Sequence, residues 1–314
     1  MSIEELKELQ QKIIKINKKY NKIAATAAII TLIIVLITIC IMIIKSSDLV
    51  FIPFIMIFIL IIILIITGAI KTNKIKDDCE VYIKEYKKIF ILEALKKHFT
   101  DVVYEPEKGF TEDFIKNTHM ISTGDSYESN DYISGKYKDI NFSQSDIHIE
   151  EEEEEEDSEG NKETYWVTIF LGRWMIFDFN KPFKSNVQII TDGFAPAGYE
   201  GGEGYDEVSM EESEFNKKFS VYAQDAHEAF YILTPHFMEK LKRINEKLGK
   251  YMMFCFIDNK LHIALYNDKD SFEPDIFKEI NVKEEEEKIS NEITIITDLI
   301  DDLRLDNDLF RREV

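Results

Sequence analysis

Two uncharged apolar runs of 22 residues, 23–44 and 49–70, lie almost end to end, parted only by Lys45-Ser46-Ser47-Asp48. A hydrocarbon bilayer core is crossed by about 20 apolar residues at ~1.5 Å each. The pattern predicts two membrane helices joined as a tight hairpin, so the chain after residue 70 returns to the side on which residue 1 began. Pro53 stands near the start of the second run, where a missing N–H costs little. Lys12, Lys15, Lys18, Lys19 and Lys22 precede the hairpin, and Lys71, Lys74 and Lys76 follow it. Lysines flanking short loops mark the cytoplasmic side. The expected placement is therefore multi-pass, in the cell's inner or plasma membrane, with both termini cytoplasmic.

The helical period continues on both sides of the hairpin. Ile3, Leu6, Leu9, Ile13 and Ile16 recur at spacings of 3, 3, 4 and 3, and Ser2 with Glu5 has the form of a capping box. Ile75, Val81 or Tyr82, Ile89, Leu92 and Leu95 carry a second helix to about His98. The two extensions are expected to pack antiparallel as a short stalk. The expected organisation is a cytoplasmic helix at 1–22, the hairpin at 23–70, the stalk at 71–99 and a connector at 100–131. A cytoplasmic α+β domain follows at 132–280, then an acidic segment with an amphipathic C-terminal helix at 281–314.

Within the connector a short helix is expected at 111–117. From residue 132 the period changes from helix to strand. Residues 132–142 read as a strand broken near Gly135, and 145–150 alternate Ile147 and Ile149 against Asp146 and His148. Residues 164–170 and 174–179 are aromatic and β-branched, with Gly172-Arg173 between them at turn spacing. Further strands fit 186–191 and 214–223, separated by an acidic, glycine-rich loop at 193–213. Asp225 and Thr234-Pro235 open two helices, and Gly249 closes the second. The apolar run 251–257, the turn Asp258-Asn259 and the run 261–266 make a hairpin. Ile289, Ile293, Ile296, Ile300 and Leu303 mark the last helix. Strand runs, then helices, then a hairpin imply an α+β fold with mainly antiparallel sheet.

Charge divides sharply along the chain. The formal net charge is −21, yet residues 1–70 carry seven lysines and four acids, which leaves −24 on residues 71–314. That excess excludes the positive face that nucleic-acid phosphates require, and it opposes lying flat on anionic lipid. Basic proteins, peptides or cations suit it better. Its densest point is the unbroken run Glu150, Glu151, Glu152, Glu153, Glu154, Glu155 and Glu156. Such a run self-repels and stays solvated. It is expected to be a disordered hairpin tip and is the candidate for binding a basic partner.

The run from Phe170 to Phe183, with Phe219-Ser220-Val221-Tyr222, the segment 229–238 and the segment 256–264, resembles an uncharacterised bacterial family. Its members have two N-terminal membrane helices and a cytoplasmic domain of unknown function. The resemblance implies the architecture and carries no catalytic residues.

No catalytic, cofactor or metal signature stands out. His227 and His236 lie nine residues apart across the helix restart at Pro235, so capping and surface roles suit them better than a metal site. Asp268, Asp270 and Glu279 echo the ends of a calcium loop, but Glu273 occupies its glycine position. The three cysteines, Cys40, Cys79 and Cys255, have no metal-site spacing. The reading is a membrane-anchored cytoplasmic binding, scaffold or sensor domain with a protein partner. The alternatives are a membrane-tethered enzyme, possibly a hydrolase, with a site assembled from scattered residues, and a structural subunit of a membrane complex.

Overall fold

The computed structural model describes residues 1–45, 51–156, 162–178, 183–193, 202, 204–249 and 251–303. The expected connection at 46–48, the tip beyond Glu156 and most of the glycine-rich loop lie outside the described residues. The chain divides into two compact units, Met1–Phe90 with Glu273–Glu285, and Ile91–Phe272 with Glu286–Val314.

The first unit is built on α1 (Ile3–Lys45) and α2 (Phe51–Tyr86). Ser2 and Glu5 cap α1 reciprocally: Ser2 N donates to the Glu5 carboxylate at 2.7 Å and Glu5 N donates to Ser2 Oγ at 3.2 Å. At the polar ends, Leu6, Ile13 and Ile14 of α1 and Ile75, Tyr82 and Tyr86 of α2 are buried. Lys12 pairs with Asp78 at 2.7 Å and the Met1 ammonium with Glu85 at 3.0 Å. Buried Gln10 clamps the segment Glu273–Glu285, donating to the carbonyls of Ile276 and Lys278 and accepting from Ile280 N. The apolar halves behave in the opposite way. Leu32 is 60% exposed, Phe54 66% and Ile65 64%. Both helices are long and apolar enough to cross a membrane, and exposed apolar surface of this extent is rare on a protein that faces water.

A π-helical turn, Lys87–Leu92, leads into α3 (Glu93–His98). The second unit is organised on β1 (Thr100–Glu105), β2 (Ser126–Tyr137), β3 (Ile140–Glu156), β4 (Lys162–Asp178), β5 (Val187–Thr191), β6 (Asp206–Glu207), β7 (Phe219–Ala223), β8 (Tyr251–Ile257) and β9 (Lys260–Tyr266). Among the described residues these form one sheet of nine strands, ordered β1-β2-β3-β4-β9-β8-β5-β7-β6, with every neighbouring pair antiparallel. The helices are α4 (Glu112–Lys116), α5 (Ser213–Asn216), α6 (Ala226–Ile232), α7 (Pro235–Leu248) and α8 (Val282–Leu303). The α+β fold expected from the pattern is the fold observed.

Strand alternation gives the sheet two apolar faces. One holds Ile147, Ile149, Phe170, Trp174, Ile176, Met253, Cys255 and Ala264, packed with Ile115, Met120 and Ile121 from α4 and the loop after it. The other holds Phe177, Leu265, Phe254 and Phe256, and α7 lies over it, with the Phe237 ring edge-on to Phe256. α8 runs beside α7: Lys240 donates to the Leu303 carbonyl at 3.0 Å and Lys247 pairs with Asp298 at 2.8 Å. The caps fall where the sequence puts them. Asp225 and Thr234 accept from His227 N and Phe237 N, and Gly249 closes α7 at φ +57°.

Three local expectations are corrected. The first strand break falls at Lys138-Asp139, both at positive φ, and Gly135 stays inside β2 against the Phe142 ring. Residues 213–216 are helical, so the strand expected from 214 begins at Phe219. Gly172-Arg173 is no turn but the middle of the continuous β4. A side chain at 172 would meet the Leu265 carbonyl oxygen at 2.1 Å, so glycine is required there by a close strand crossing.

Candidate functional site

β3 and β4 outrun their neighbours as a two-stranded ribbon. Glu150 pairs with Thr168, Glu152 with Trp166, Glu153 with Tyr165, Glu154 with Thr164 and Glu156 with Lys162. The seven glutamates are therefore ordered strand, not the disordered tip expected from their charge. The β-branched and aromatic residues opposite them carry the pairing outward. Lys162 bonds Glu154 at 3.0 Å, Tyr165 donates to Glu153 at 2.9 Å, and Glu152 N donates to Asp125 at 3.0 Å. Tyr165 is 44% exposed and Trp166 54%. The result is an acidic finger with two unburied aromatic rings.

The acidic track continues inward. Glu152, Glu150, His148 and Asp146 alternate onto one face of β3, and His148 lies 3.6 Å from Glu150. Asp146 and Asp270 lie in the wall of a cavity of ≈ 450 Å³, with Glu128, Asn130 and His148 also lining it.

Asp146 belongs to a buried charged network. Opposite it in register on β4 is Arg173, which is fully buried. Arg173 donates to the Glu292 carbonyl at 2.7 Å and to its carboxylate at 2.9 Å, and its guanidinium stands over the Phe272 ring. Lys269 bonds the other Glu292 oxygen. Arg173 Nε faces Asp146 Oδ1 at 3.8 Å, within ion-pair range but beyond a hydrogen bond. Burial pushes the Asp146 carboxyl well above the usual carboxylate range; Arg173 opposes this and Asp270 adds to it.

A β-bulge brings in a third acid. Asn130 pairs with Asp146 and Ile133 with Gln144, so β2 holds one extra residue there. Asp131 sits in the bulge at φ +50°, its N–H donating to the Pro106 carbonyl at 3.0 Å. Bulges re-aim side chains, and here the Asp131 carboxylate is turned into the interior, where the Tyr104 hydroxyl donates to it. One carboxylate oxygen each from Asp131, Asp146 and Asp270 lies within 4.8 Å of the others.

The structure does not gather the other residues weighed from sequence. His227 and His236 lie at the first turns of α6 and α7 and are exposed. Asp268 and Asp270 follow β9, and Asp270 alone of that pair joins the acidic group. Sequence reasoning missed Asp131, Asp146 and Asp270 as a group. The local signal was the polar face of β3 in a strand whose other face is isoleucine.

Residues 168–305 match a family model described as a protein of unknown function, DUF3137. This stretch takes in most of β4 and every later element. Among solved structures, the crystal structure of the mycobacterial trehalose monomycolate transport factor A, TtfA, matches at 10% identity and a TM-score of 0.35, covering 71% of this chain and 94% of that one. No curated protein matches the chain.

Proposed function

We propose that this chain is a membrane-anchored binding module that docks a lysine- or arginine-rich segment of a partner protein on its acidic ribbon, at the cytoplasmic face of a bacterial membrane. The observation that carries the reading is the ribbon itself: seven ordered glutamates with Trp166 and Tyr165 exposed among them. Carboxylates pair with ammonium and guanidinium groups, and aromatic faces attract the same cations. Exposed Trp and Tyr are the side chains most often found as interface anchors. The charge of −24 on residues 71–314 favours fast encounter with a basic partner. The two apolar helices supply the anchor, and the lysines flanking them support the cytoplasmic orientation.

The test uses the full chain in nanodiscs of zwitterionic lipid, titrated with a fluorescent lysine- and arginine-rich peptide and with a glutamate-rich control. Binding of the basic peptide that weakens with salt, and weakens again by about 1–2 kcal/mol in Trp166→Ala, supports the proposal. Equal affinity in a variant with Glu151 to Glu156 replaced by Gln overturns it.

A further inference from the structure

Asp131, Asp146 and Asp270 arrive at one point from the β2 bulge, the middle of β3 and the turn after β9. Their proximity alone is no site; what points to a ligand is how Asp146 is held. Its side chain is 4% exposed, and one oxygen accepts from Ser271 N at 2.8 Å. The other, Oδ1, is buried without a hydrogen-bond donor, and so is Oδ1 of Asp270. The neighbouring cations do not close on them. Arg173 and Lys269 are both drawn to Glu292, and Arg173 Nε stays 3.8 Å from Asp146 Oδ1, itself without an acceptor. Asp270 is half-buried and its second oxygen accepts from Asn130 at 3.0 Å; two carboxyl oxygens left side by side without donors are unfavourable unless they share a proton or a cation. A cavity lined by Glu128, Asn130, His148, Asp146 and Asp270 lies beside these buried oxygens.

We propose that Asp131, Asp146 and Asp270 bind a divalent metal cation. All three donors are carboxylate oxygens, which select a hard ion such as Ca²⁺ or Mg²⁺ over zinc or copper. Oxygens up to 4.8 Å apart fit the shell of calcium, whose oxygen distances are about 2.3–2.6 Å. The ion ties β2, β3 and the segment after β9 together beneath the base of the ribbon. This site is separate from the ribbon glutamates, and the inference stands without the partner proposal.

The test is terbium luminescence on the chelator-treated full chain in detergent, excited through its aromatic rings, with Tyr104 bonded directly to Asp131 as the near sensitiser. Tb³⁺ should light up at one high-affinity site, Ca²⁺ should quench it by competition, and Ca²⁺ alone should raise the melting temperature. Asp146→Asn and Asp270→Asn should each weaken binding by about 100-fold or more, while the variant with Glu151 to Glu156 replaced by Gln keeps it. Should both aspartate variants fail to fold, the wild type and the glutamine variant still decide. High-affinity signal retained in the glutamine variant supports the site, and its loss there places the ions on the ribbon and overturns it. The proposal is equally overturned if the wild type shows neither luminescence nor a calcium-dependent melting shift.

Discussion

Arg173 grips Glu292 with two nitrogens, one on its backbone carbonyl at 2.7 Å and one on its carboxylate at 2.9 Å, and so bolts β4 to α8 in the interior. Both side chains are buried, so removing either takes away the other's closest partner, leaving Arg173 with Asp146 at 3.8 Å or Glu292 with Lys269. Arg173→Ala and Glu292→Ala should each cost about 3–5 kcal/mol. The pair replaced together by Met should recover much of that loss, because a buried ion pair and a well-packed apolar pair are of similar worth. Urea denaturation of the full chain, followed by the fluorescence of buried Trp174, measures all three. A double variant no more stable than the singles would refute the coupling.

His262 makes stability depend on pH. The Trp174 indole N–H donates to His262 Nδ1 at 3.2 Å, which requires the unprotonated nitrogen. Burial lowers the His262 pKa to about 3, and Lys260 adds to the shift. The unfolded chain titrates near 6.5, so below that pH it binds a proton that the folded chain refuses. This contribution to stability is complete above about pH 6.5 and erodes as pH falls toward 3, by at most ~1.4 kcal/mol per pH unit. His262→Gln removes the titration. Its stability should change less than the wild type's between pH 6.5 and 4; parallel curves would refute the assignment.

Gly172→Ala tests the reading of Gly172-Arg173 as strand. The added methyl would meet the Leu265 carbonyl oxygen at 2.1 Å, and backbone cannot swing aside as a side chain can. A loss of about 1–3 kcal/mol is expected from overpacking. The same denaturation assay measures the loss, and a neutral effect would refute the close contact with Leu265.

These cases mark how far local sequence reaches. The two long apolar helices were legible because uncharged runs of 22 apolar residues carry no helix breaker beyond Pro53 near the start of the second. The caps at Asp225, Thr234 and Gly249, and the hairpin turn at Asp258-Asn259, were legible because their chemistry is local. Arg173 was misread as a turn residue because the acid that neutralises it, Glu292, lies 119 positions away. The aspartate group was hidden for the same reason: β2, β3 and the post-β9 segment meet only in the sheet. The glutamate run was misread in another way. Charge repulsion argues for disorder, but residues 162–168 supply an in-register strand that outweighs it.

Gln10 should control the segment Glu273–Glu285. Its buried side chain donates to the carbonyls of Ile276 at 3.2 Å and Lys278 at 2.6 Å and accepts from Ile280 N at 3.0 Å. Gln10→Ala leaves these backbone groups without partners, at about 1–3 kcal/mol of local stability. Amide exchange in 276–280 should accelerate while that of β3 and β4 stays unchanged. Unaltered exchange in the segment would show that other contacts hold it.

The ribbon should be dispensable for folding. Glu151 and Val167 are register partners, so replacing residues 152–166 by Asn-Gly closes the hairpin with a two-residue turn. Among the described residues the deleted side chains, 152–156 and 162–166, are exposed, so little burial is lost. The turn's asparagine keeps an N–H where Glu152 donates to Asp125. Shortening the loop changes closure entropy by only about 0.6 kcal/mol per halving, and removing five adjacent glutamates and the aspartate that follows them relieves repulsion that is strongest at low salt. The melting temperature of the full chain in detergent should therefore hold, or rise slightly in low salt, while binding of the basic peptide disappears. A fall in stability of more than about 2 kcal/mol would mean that the glutamates and aromatics pack within the fold, and the ribbon would lose its standing as a free docking surface.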